Sequence, residues 1–501
     1  MLRSDSPKPK RRLGLAVPPK MPLDVARDEA RSLDAARAQA RFEVRRVQRA
    51  LKTTVSLCPE CLSYVPAFVY EQGGRVWLKK ACAAHGLSEA VLENDARFYF
   101  LSNKDRSGNV FAKDRVFDIP TFPGAEGCCE GGACGDGTDQ TANKTCTVLV
   151  EVTDACNLAC PVCYSDANQK SRGDHKLPFE AFTRYLEALI EKKGGLDSVQ
   201  LTGGEALLHP DVWRMLDFVC GHPRIKKVYL PTNGLLLRKN DAFQRLARHK
   251  DKLMVLLQFD GTSDASDERL RGATPGRVRR EIVSRFGELG VFMQLTMTLA
   301  RGVNDEEIGG VLDLALAHDH VKVVALQPAT YSGRYELGAS PTERLTLSDV
   351  VKAVARQSRK RTRESDFVPI PCSHPNCGWI TLFLRRFGLA TNVVRYVDLP
   401  KVIDNVAYRT LLSTEELKDA VGTQDGSPVK RAIGRLAKGL VRSQDMFTIA
   451  IKPFMDKHGY DQDRVDNCCH HLLDTKGNPR SFCEYNAILR QQDGWTELPS
   501  L

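Results

Sequence analysis

Three cysteines in one short loop, Cys156, Cys160 and Cys163 in the run CNLACPVC, have the residue type and spacing for metal chemistry. Soft thiolates set this close together suit an iron-sulfur cluster. A 4Fe-4S cube takes four ligands, so three cysteines leave one iron open to chelate a small molecule through an amine and a carboxylate. The triplet alone also fits a zinc knuckle or a chance cluster. Downstream, the apolar run DSVQLT leads into Gly203-Gly204-Glu205. There, two glycines let the backbone approach a ligand and a carboxylate is available to hold an ammonium group.

The other cysteines fall into sets. Cys58-x2-Cys61 and Cys82-x2-His85 flank the alternating stretch VPAFVYEQGGRVWLKKA, which predicts a β-hairpin turning at Gly73-Gly74. Two knuckles joined by a hairpin suit one tetrahedral ion, zinc or a single iron, with a Cys3His ligand set. The run GCCEGGACGDGTDQTANKTC supplies Cys128, Cys129, Cys134 and Cys146, either as an auxiliary cluster or as a flexible loop with incidental thiols. Further on, Cys372 and Cys377 in PCSHPNC, with Cys468, Cys469 and Cys483, offer five thiols, four of which would close a second auxiliary cluster.

These residues need a scaffold. Apolar runs at 147–153, 198–202, 227–231, 252–259, 291–299 and 321–327 alternate with helical stretches such as PFEAFTRYLEALIEKK and DVWRMLDFVC. Such alternation implies parallel strands joined by helical crossovers, an α/β fold that closes naturally as a partial (β/α)6 barrel. Active residues then belong at the carboxyl ends of the strands. Glu205, Asn233, Gln258, Asp260 and Thr298 all fall there, as a polar ring for a ligand or as ordinary strand-end caps. Arg271, in DERLRG, is read either as an anion-binding residue or as half of a surface ion pair. Past the barrel, LTLSDVVKAVARQS reads as a helix capped by Ser348, and the apolar runs of 378–450 as a helical cap or as ordinary core.

At 501 residues, 42% hydrophobic and 27% charged, the chain reads as soluble, with room for two or three domains. No apolar run approaches the roughly 20 residues that span a bilayer, which predicts a cytoplasmic protein. Sixteen cysteines in a reducing compartment argue for metal over disulfides. The net charge of +10 is concentrated in part in residues 1–20, where Arg3, Lys8, Lys10, Arg11, Arg12 and Lys20 face only Asp5. This tail reads as disordered and solvated, and it also fits peripheral contact with an anionic membrane or with nucleic acid.

The loop following CTVLVEVTDAC, together with the Gly-Gly-Glu turn, resembles the radical S-adenosylmethionine (SAM) superfamily. The combination of CPEC and CAAHG, the Cys-rich run ending in Thr-Cys, PCSHPNC and FCEYN further resembles the archaeal tetraether synthases and bacterial membrane-spanning-lipid synthases, over about residues 55–490. The resemblance implies that Cys156, Cys160 and Cys163 bind a catalytic 4Fe-4S cluster. Gly203, Gly204, Glu205, Asn233, Gln258, Asp260 and Thr298 would hold SAM. It also implies two auxiliary clusters, an electron donor such as ferredoxin or flavodoxin, and a lipid substrate whose chain ends are coupled through a 5'-deoxyadenosyl radical. A radical SAM enzyme acting on a peptide or non-lipid small molecule is the alternative; a metal-binding nucleic-acid protein is opposed by the Gly-Gly-Glu turn and the barrel, so no nucleic acid is expected. The expected organisation is a tail at 1–21, one helix at 22–52, the Cys3His module at 53–100 and the first auxiliary segment at 101–145. The radical SAM barrel follows at 146–335, then a helical and auxiliary-cluster region at 336–501.

Overall fold

The computed structural model describes residues 20–102, 104–112, 144–167, 174–238, 241–338, 340–359, 361–370, 373–386, 389–396 and 443–501. The basic tail up to residue 19 and Cys128, Cys129, Cys134 and Cys372 lie outside the described residues.

The segment expected as one helix over 22–52 is two short helices, Leu23–Arg31 and Ala35–Arg41. Polar side chains break it: the Ser32 hydroxyl donates back to the Glu29 carbonyl (2.8 Å), and Asp34 caps the second helix by accepting from Arg37 N (2.8 Å). The end of the segment already belongs to strand β1 (Arg49–Leu57), where Thr53, Thr54 and Val55 favour extended backbone. An antiparallel meander continues through β2 (Tyr64–Gln72), β3 (Arg75–Cys82) and β4 (Gly86–Glu93). The β2–β3 turn falls at Gly73 and Gly74, at φ 63° and 70°, a conformation open to glycine at no steric cost.

The barrel strands follow the apolar runs. After β5 (Thr147–Thr153) comes a two-residue strand inside the cysteine loop, β6 (Val162–Cys163). Then come β7 (Leu196–Gly203), β8 (Ile225–Thr232), β9 (Leu253–Gln258), β10 (Phe292–Leu299) and β11 (Val321–Pro328). β5, β7, β8, β9, β10 and β11 pair in parallel in that order. Helices Phe179–Lys193, Val212–Gly221, Gly276–Leu289 and Ile308–Ala317 supply Phe182, Leu186, Met215, Phe286 and Leu312 to one continuous core with the strands. Each such side chain contributes about 1.5–3 kcal/mol on burial.

The sheet runs past those six strands. β12 (Arg334–Tyr335) pairs with β6, away from the main sheet. β13 (Val368–Pro369), β14 (Trp379–Arg386), β15 (Leu389–Asn392) and β16 (Met446–Ile451) extend the edge beyond β11, with β16 parallel to it. β17 (His470–Leu473) and β18 (Pro479–Ser481) extend the β5 edge. The runs of 378–450, expected as a helical cap or as ordinary core, are therefore mostly strand in their described residues, while the region as a whole mixes strand with short helices. WITLFLRR alternates buried and half-buried side chains, a period of two. Helix Leu347–Gln357 is capped by Thr346, which forms a reciprocal capping box with Asp349; Ser348 instead lies buried in the first turn.

Lys52 of β1 is fully buried against Asp105, Asp461 and Asp463, at 2.8, 2.9 and 2.9 Å, and so ties the N-terminal sheet to the C-terminal segment. No helix among the described residues is long and apolar enough to cross a membrane.

Candidate active site

The Gly-Gly-Glu turn closes β7 against the approach to the cysteine loop. A Cβ on Gly203 would strike the Thr153 carbonyl, and one on Gly204 the Ala155 carbonyl. The two glycines thus let β7 pack against the chain leading into Cys156. Gly204 N and Glu205 N donate to Thr153 O (2.9 Å) and Ala155 O (2.8 Å), which fixes Glu205 beside the loop. Its Oε2 accepts from Thr232 Oγ1 (3.0 Å) and Asn233 N (2.9 Å), while Oε1 has only a long contact from Leu207 N (3.4 Å). Burial pushes the Glu205 carboxyl up to about 7. Asn233 also reaches into the loop, donating through Nδ2 to Asn157 Oδ1 (2.7 Å).

Two other elements grip the loop. Arg334 and Tyr335 pair with Cys163 and Val162, and Arg334 Nε donates to the Cys160 carbonyl (2.6 Å). Gly333, at φ 64°, makes this possible, because a Cβ there would meet the carbonyls of Cys163 and Tyr164. From the opposite side, Arg271 closes helix Asp264–Arg271. It donates to Asp260 through Nε and Nη2 (both 2.7 Å), to Thr298 Oγ1 (2.7 Å) and to the Val162 carbonyl (3.1 Å). Arg271 is thus a buried loop clamp, not half of a surface pair. Asp260 also accepts from Thr298 N (2.9 Å), and Gln258 lies between the Arg271 and Arg279 guanidinium groups. Burial would raise the Asp260 carboxyl, but Arg271 outweighs it and holds the group below its usual value. Asp260, Gln258 and Thr298 therefore surround Arg271, whereas Glu205 and Asn233 face the loop from the β7–β8 side.

In the N-terminal sheet, the ligand atoms of Cys58, Cys61, Cys82 and His85 all lie within 4.8 Å of one another. Cys58 follows β1, Cys82 ends β3, and His85 precedes Gly86, whose φ of 73° turns the chain into β4. Burial lifts the Cys58 thiol to about 11; at Cys82 burial is outweighed by hydrogen bonds from His85 and the backbone, which bring it down to about 7. Four soft donors at this spacing fit one tetrahedral ion.

Residues 150–315 match the Radical SAM superfamily, and residues 50–94 the HMPTM N-terminal zinc ribbon domain. The barrel has the α/β fold of a radical SAM domain. Along most of its length the chain is similar to the 7,8-dihydro-6-hydroxymethylpterin dimethyltransferase of Methanocaldococcus jannaschii, 27% identical over 491 residues, covering 88% of this chain and 94% of that protein. It is also similar to the subtilosin biosynthesis protein AlbA of Bacillus subtilis (28% over 150 residues; 30% of this chain, 32% of that one). A third relative is the GTP 3',8-cyclase of Chlorobaculum tepidum (30% over 202 residues; 38% and 56%). The chain thus spans about a third of AlbA and a little over half of the cyclase. Among solved structures, Streptococcus suis SuiB bound to S-adenosylmethionine matches with a TM-score of 0.37 at 19% identity, over 42% of this chain and 46% of that one.

A radical SAM domain holds a 4Fe-4S cluster and SAM, and the residues here fit both. Burial raises the Cys156 thiol to about 12, with Glu205, Cys160 and Cys163 adding negative charge nearby. So raised, the thiol gives up its proton only to a bound cation, which cluster iron would provide. The Glu205 Oε1, short of donors, is a fitting acceptor for the ammonium of SAM.

The remaining cysteines are regrouped relative to the sequence reading. Cys146, expected with Cys128, Cys129 and Cys134, packs against Cys469, whose carbonyl accepts from Cys146 N (2.8 Å). Lys193 feels the charge of both thiols. Cys377, Cys468 and Cys483 form a separate group around the buried Arg464, which donates to Cys377 Sγ (3.4 Å) and sits beside Cys483. Adjacent residues Cys468 and Cys469, just before β17, thus face different neighbours. The sequence reading missed Arg334, Gly333 and Asn157. The first two lie in YSGRY just past the sixth strand end, and Asn157 is inside the cysteine loop itself.

Proposed function

We propose that this radical SAM enzyme methylates a reduced pterin. The observation that carries the reading is the similarity to a dihydropterin dimethyltransferase across zinc ribbon, barrel and C-terminal segment together, 94% of that protein. On this reading Cys156, Cys160 and Cys163 hold the cluster, Glu205 and Asn233 receive SAM, and an external one-electron donor such as ferredoxin or flavodoxin serves the site. When bound, the cluster and SAM would supply a 5'-deoxyadenosyl radical that removes a hydrogen atom from a carbon; the methyl carbon would come from a one-carbon donor such as a second SAM, with the external donor supplying the electrons that close the balance. The protein's part is to fix the loop by Arg271, Arg334 and the Thr153–Gly203 contact, so that this carbon meets the radical in one geometry. Cys146 with Cys469, and Cys377 with Cys468 and Cys483, are ligands of two auxiliary clusters, the first completed by two of Cys128, Cys129 and Cys134 and the second by Cys372.

Lipid-chain coupling, with its contact at the membrane, draws no support from these relatives, whose names specify a pterin, a bacteriocin pathway and GTP. One experiment separates the readings. Protein reconstituted anaerobically with iron and sulfide is given SAM, dithionite and 6-hydroxymethyl-7,8-dihydropterin, with phospholipid in a parallel reaction, and products are read by mass spectrometry. Methylated pterin together with 5'-deoxyadenosine is expected. An unchanged pterin beside chain-coupled lipid overturns the proposal.

A further inference from the structure

The inner face of the barrel sheet is filled on one side only. On β10, Met293, Leu295 and Met297 pack into the core with the helices, so Gln294, Thr296 and Thr298 project from the opposite, inner face. At β5 and β7 that face is covered: Leu149 is buried against Phe482 and Tyr485, and the buried Glu151 is paired with Arg490 (2.8 Å). Tyr164, next to Cys163, completes the cover with its ring 5.1 Å from that of Phe482. Across β9, β10 and β11 the same face is open. Leu256, Gln294 and Val323 stand at one level by strand register, and all three are only half-buried. Gln294 is the polar member of this level. Its Nε2 donates to Thr296 Oγ1 (2.9 Å), which fixes the amide, and its Oε1 accepts from no side chain or backbone group among the described residues. It lies four residues before Thr298, about 13 Å deeper in the barrel than the level at which Arg271 clamps the loop.

We propose that Gln294 is a specificity-determining residue that binds the lactam edge of the pterin ring, with Leu256 and Val323 as the apolar walls on either side. This rests on the reading of the substrate as a reduced pterin. A carboxamide presents an acceptor beside a donor, and the ring N–H and carbonyl of a lactam present the complementary pair. The inward side chains from Met254 to Gln258, Gln294 to Thr298 and Val323 to Gln327 carry no charge, so this part of the face suits a neutral flat heterocycle and offers a phosphate no counter-ion. The polarity also opposes an alkyl chain, which would leave the Gln294 amide without water or partner.

The test is anaerobic equilibrium dialysis of reconstituted full-length protein, with SAM present, against 6-hydroxymethyl-7,8-dihydropterin and its 3-methyl derivative, in which the lactam N–H is blocked. The unchanged protein is expected to bind the parent pterin and to reject the 3-methyl compound, because a site built to hydrogen-bond a group discriminates against a ligand that lacks it. Gln294→Leu should weaken binding of the parent about tenfold and bind the two compounds alike. If Gln294→Leu does not yield folded protein, Gln294→Met, closer in length, is dialysed instead with the same expectation. Undiminished affinity in the variant, a loss that is equal for both compounds, or a loss of SAM affinity in place of pterin affinity overturns the proposal while leaving the pterin reading intact. Failure of the unchanged protein to bind the parent pterin refutes that reading and the role of Gln294 with it, so the two failures are distinguishable.

Discussion

At the tip of the zinc ribbon, the donors of Cys58, Cys61, Cys82 and His85 lie within 4.8 Å of one another, whereas the barrel-loop thiols belong to no such group among the described residues. The ribbon ligands come from two turns of one antiparallel sheet, and its register, with Cys82 opposite Gly86, brings them together without help from the rest of the chain. The loop thiols are set by the Gly203–Gly204 crossing, Asn233, Arg271 and Arg334, which belong to separate elements. A site closed by four ligands has no vacancy for a substrate and stabilises the fold; one that depends on the whole barrel is where binding and chemistry meet.

Breaking the loop is the largest effect this contrast predicts. Cys160→Ala should reduce formation of 5'-deoxyadenosine from SAM to the uncatalysed background, while the protein still folds and retains about one zinc per chain. Product quantified by liquid chromatography, beside metal analysis, checks this; loss of zinc along with activity would mean that the two sites are not independent. Next comes the ribbon. Structural zinc is worth roughly 10 kcal/mol or more in zinc-finger peptides. Cys58→Ser should therefore leave residues 50–94 open to proteolysis and lower the yield of soluble protein, read by limited proteolysis and mass spectrometry.

The barrel was legible because its signals are local. Each apolar run fell on a strand, and the Cys-loop and Gly-Gly-Glu turn both lay at the strand ends where side chains converge. The ribbon was legible for the same reason, its glycine pair and two knuckles marking one hairpin. What could not be read were effects that depend on sequence-distant partners. Arg271 read equally as an anion-binding residue or as half of a surface ion pair, and its burial depends on Asp260, Val162 and Thr298 closing around it. Residues 22–52 carry helix-favouring alanine and arginine, yet tertiary pairing with β2 claims the last of them for β1. The neighbours Cys468 and Cys469 could not be sorted from spacing, because their partners, Cys377 and Cys146, lie far apart in the chain.

That sorting gives an intermediate prediction. If Cys146 and Cys469 serve one auxiliary cluster and Cys377, Cys468 and Cys483 another, Cys469→Ala and Cys146→Ala should each remove the same set of about four irons. Cys468→Ala and Cys377→Ala should remove a different set, seen as additive losses in the double variant Cys468→Ala/Cys469→Ala. Iron assay and Mössbauer spectra check it. Equal spectra for Cys468→Ala and Cys469→Ala would put both thiols on one centre and return the molecule to the grouping that spacing suggested.

The smallest effect concerns how the ribbon docks. Glu93, the last residue of β4, is buried where the ribbon meets helix Leu347–Gln357, and it accepts from Thr346 Oγ1 (2.6 Å), Asn94 N (2.8 Å) and the Ser348 hydroxyl. Burial raises its carboxyl from 4.5 to about 7 despite those donors. A folded-state value above the unfolded one means that folding favours the protonated acid. The contribution to stability is complete below about pH 4.5 and is lost as pH rises through 7. Glu93→Gln keeps an acceptor oxygen for Ser348 and Thr346 and cannot ionise. Relative to the unchanged protein it should be nearly neutral at pH 5 and more stable by about 1–3 kcal/mol at pH 8, measured by denaturant unfolding at both values. If the ribbon's part is structural, SAM cleavage at pH 8 should stay as it was. A change in cleavage without a change in stability would mean that this contact reaches the barrel chemistry, and the division between a closed structural site and an open reactive one would have to be redrawn.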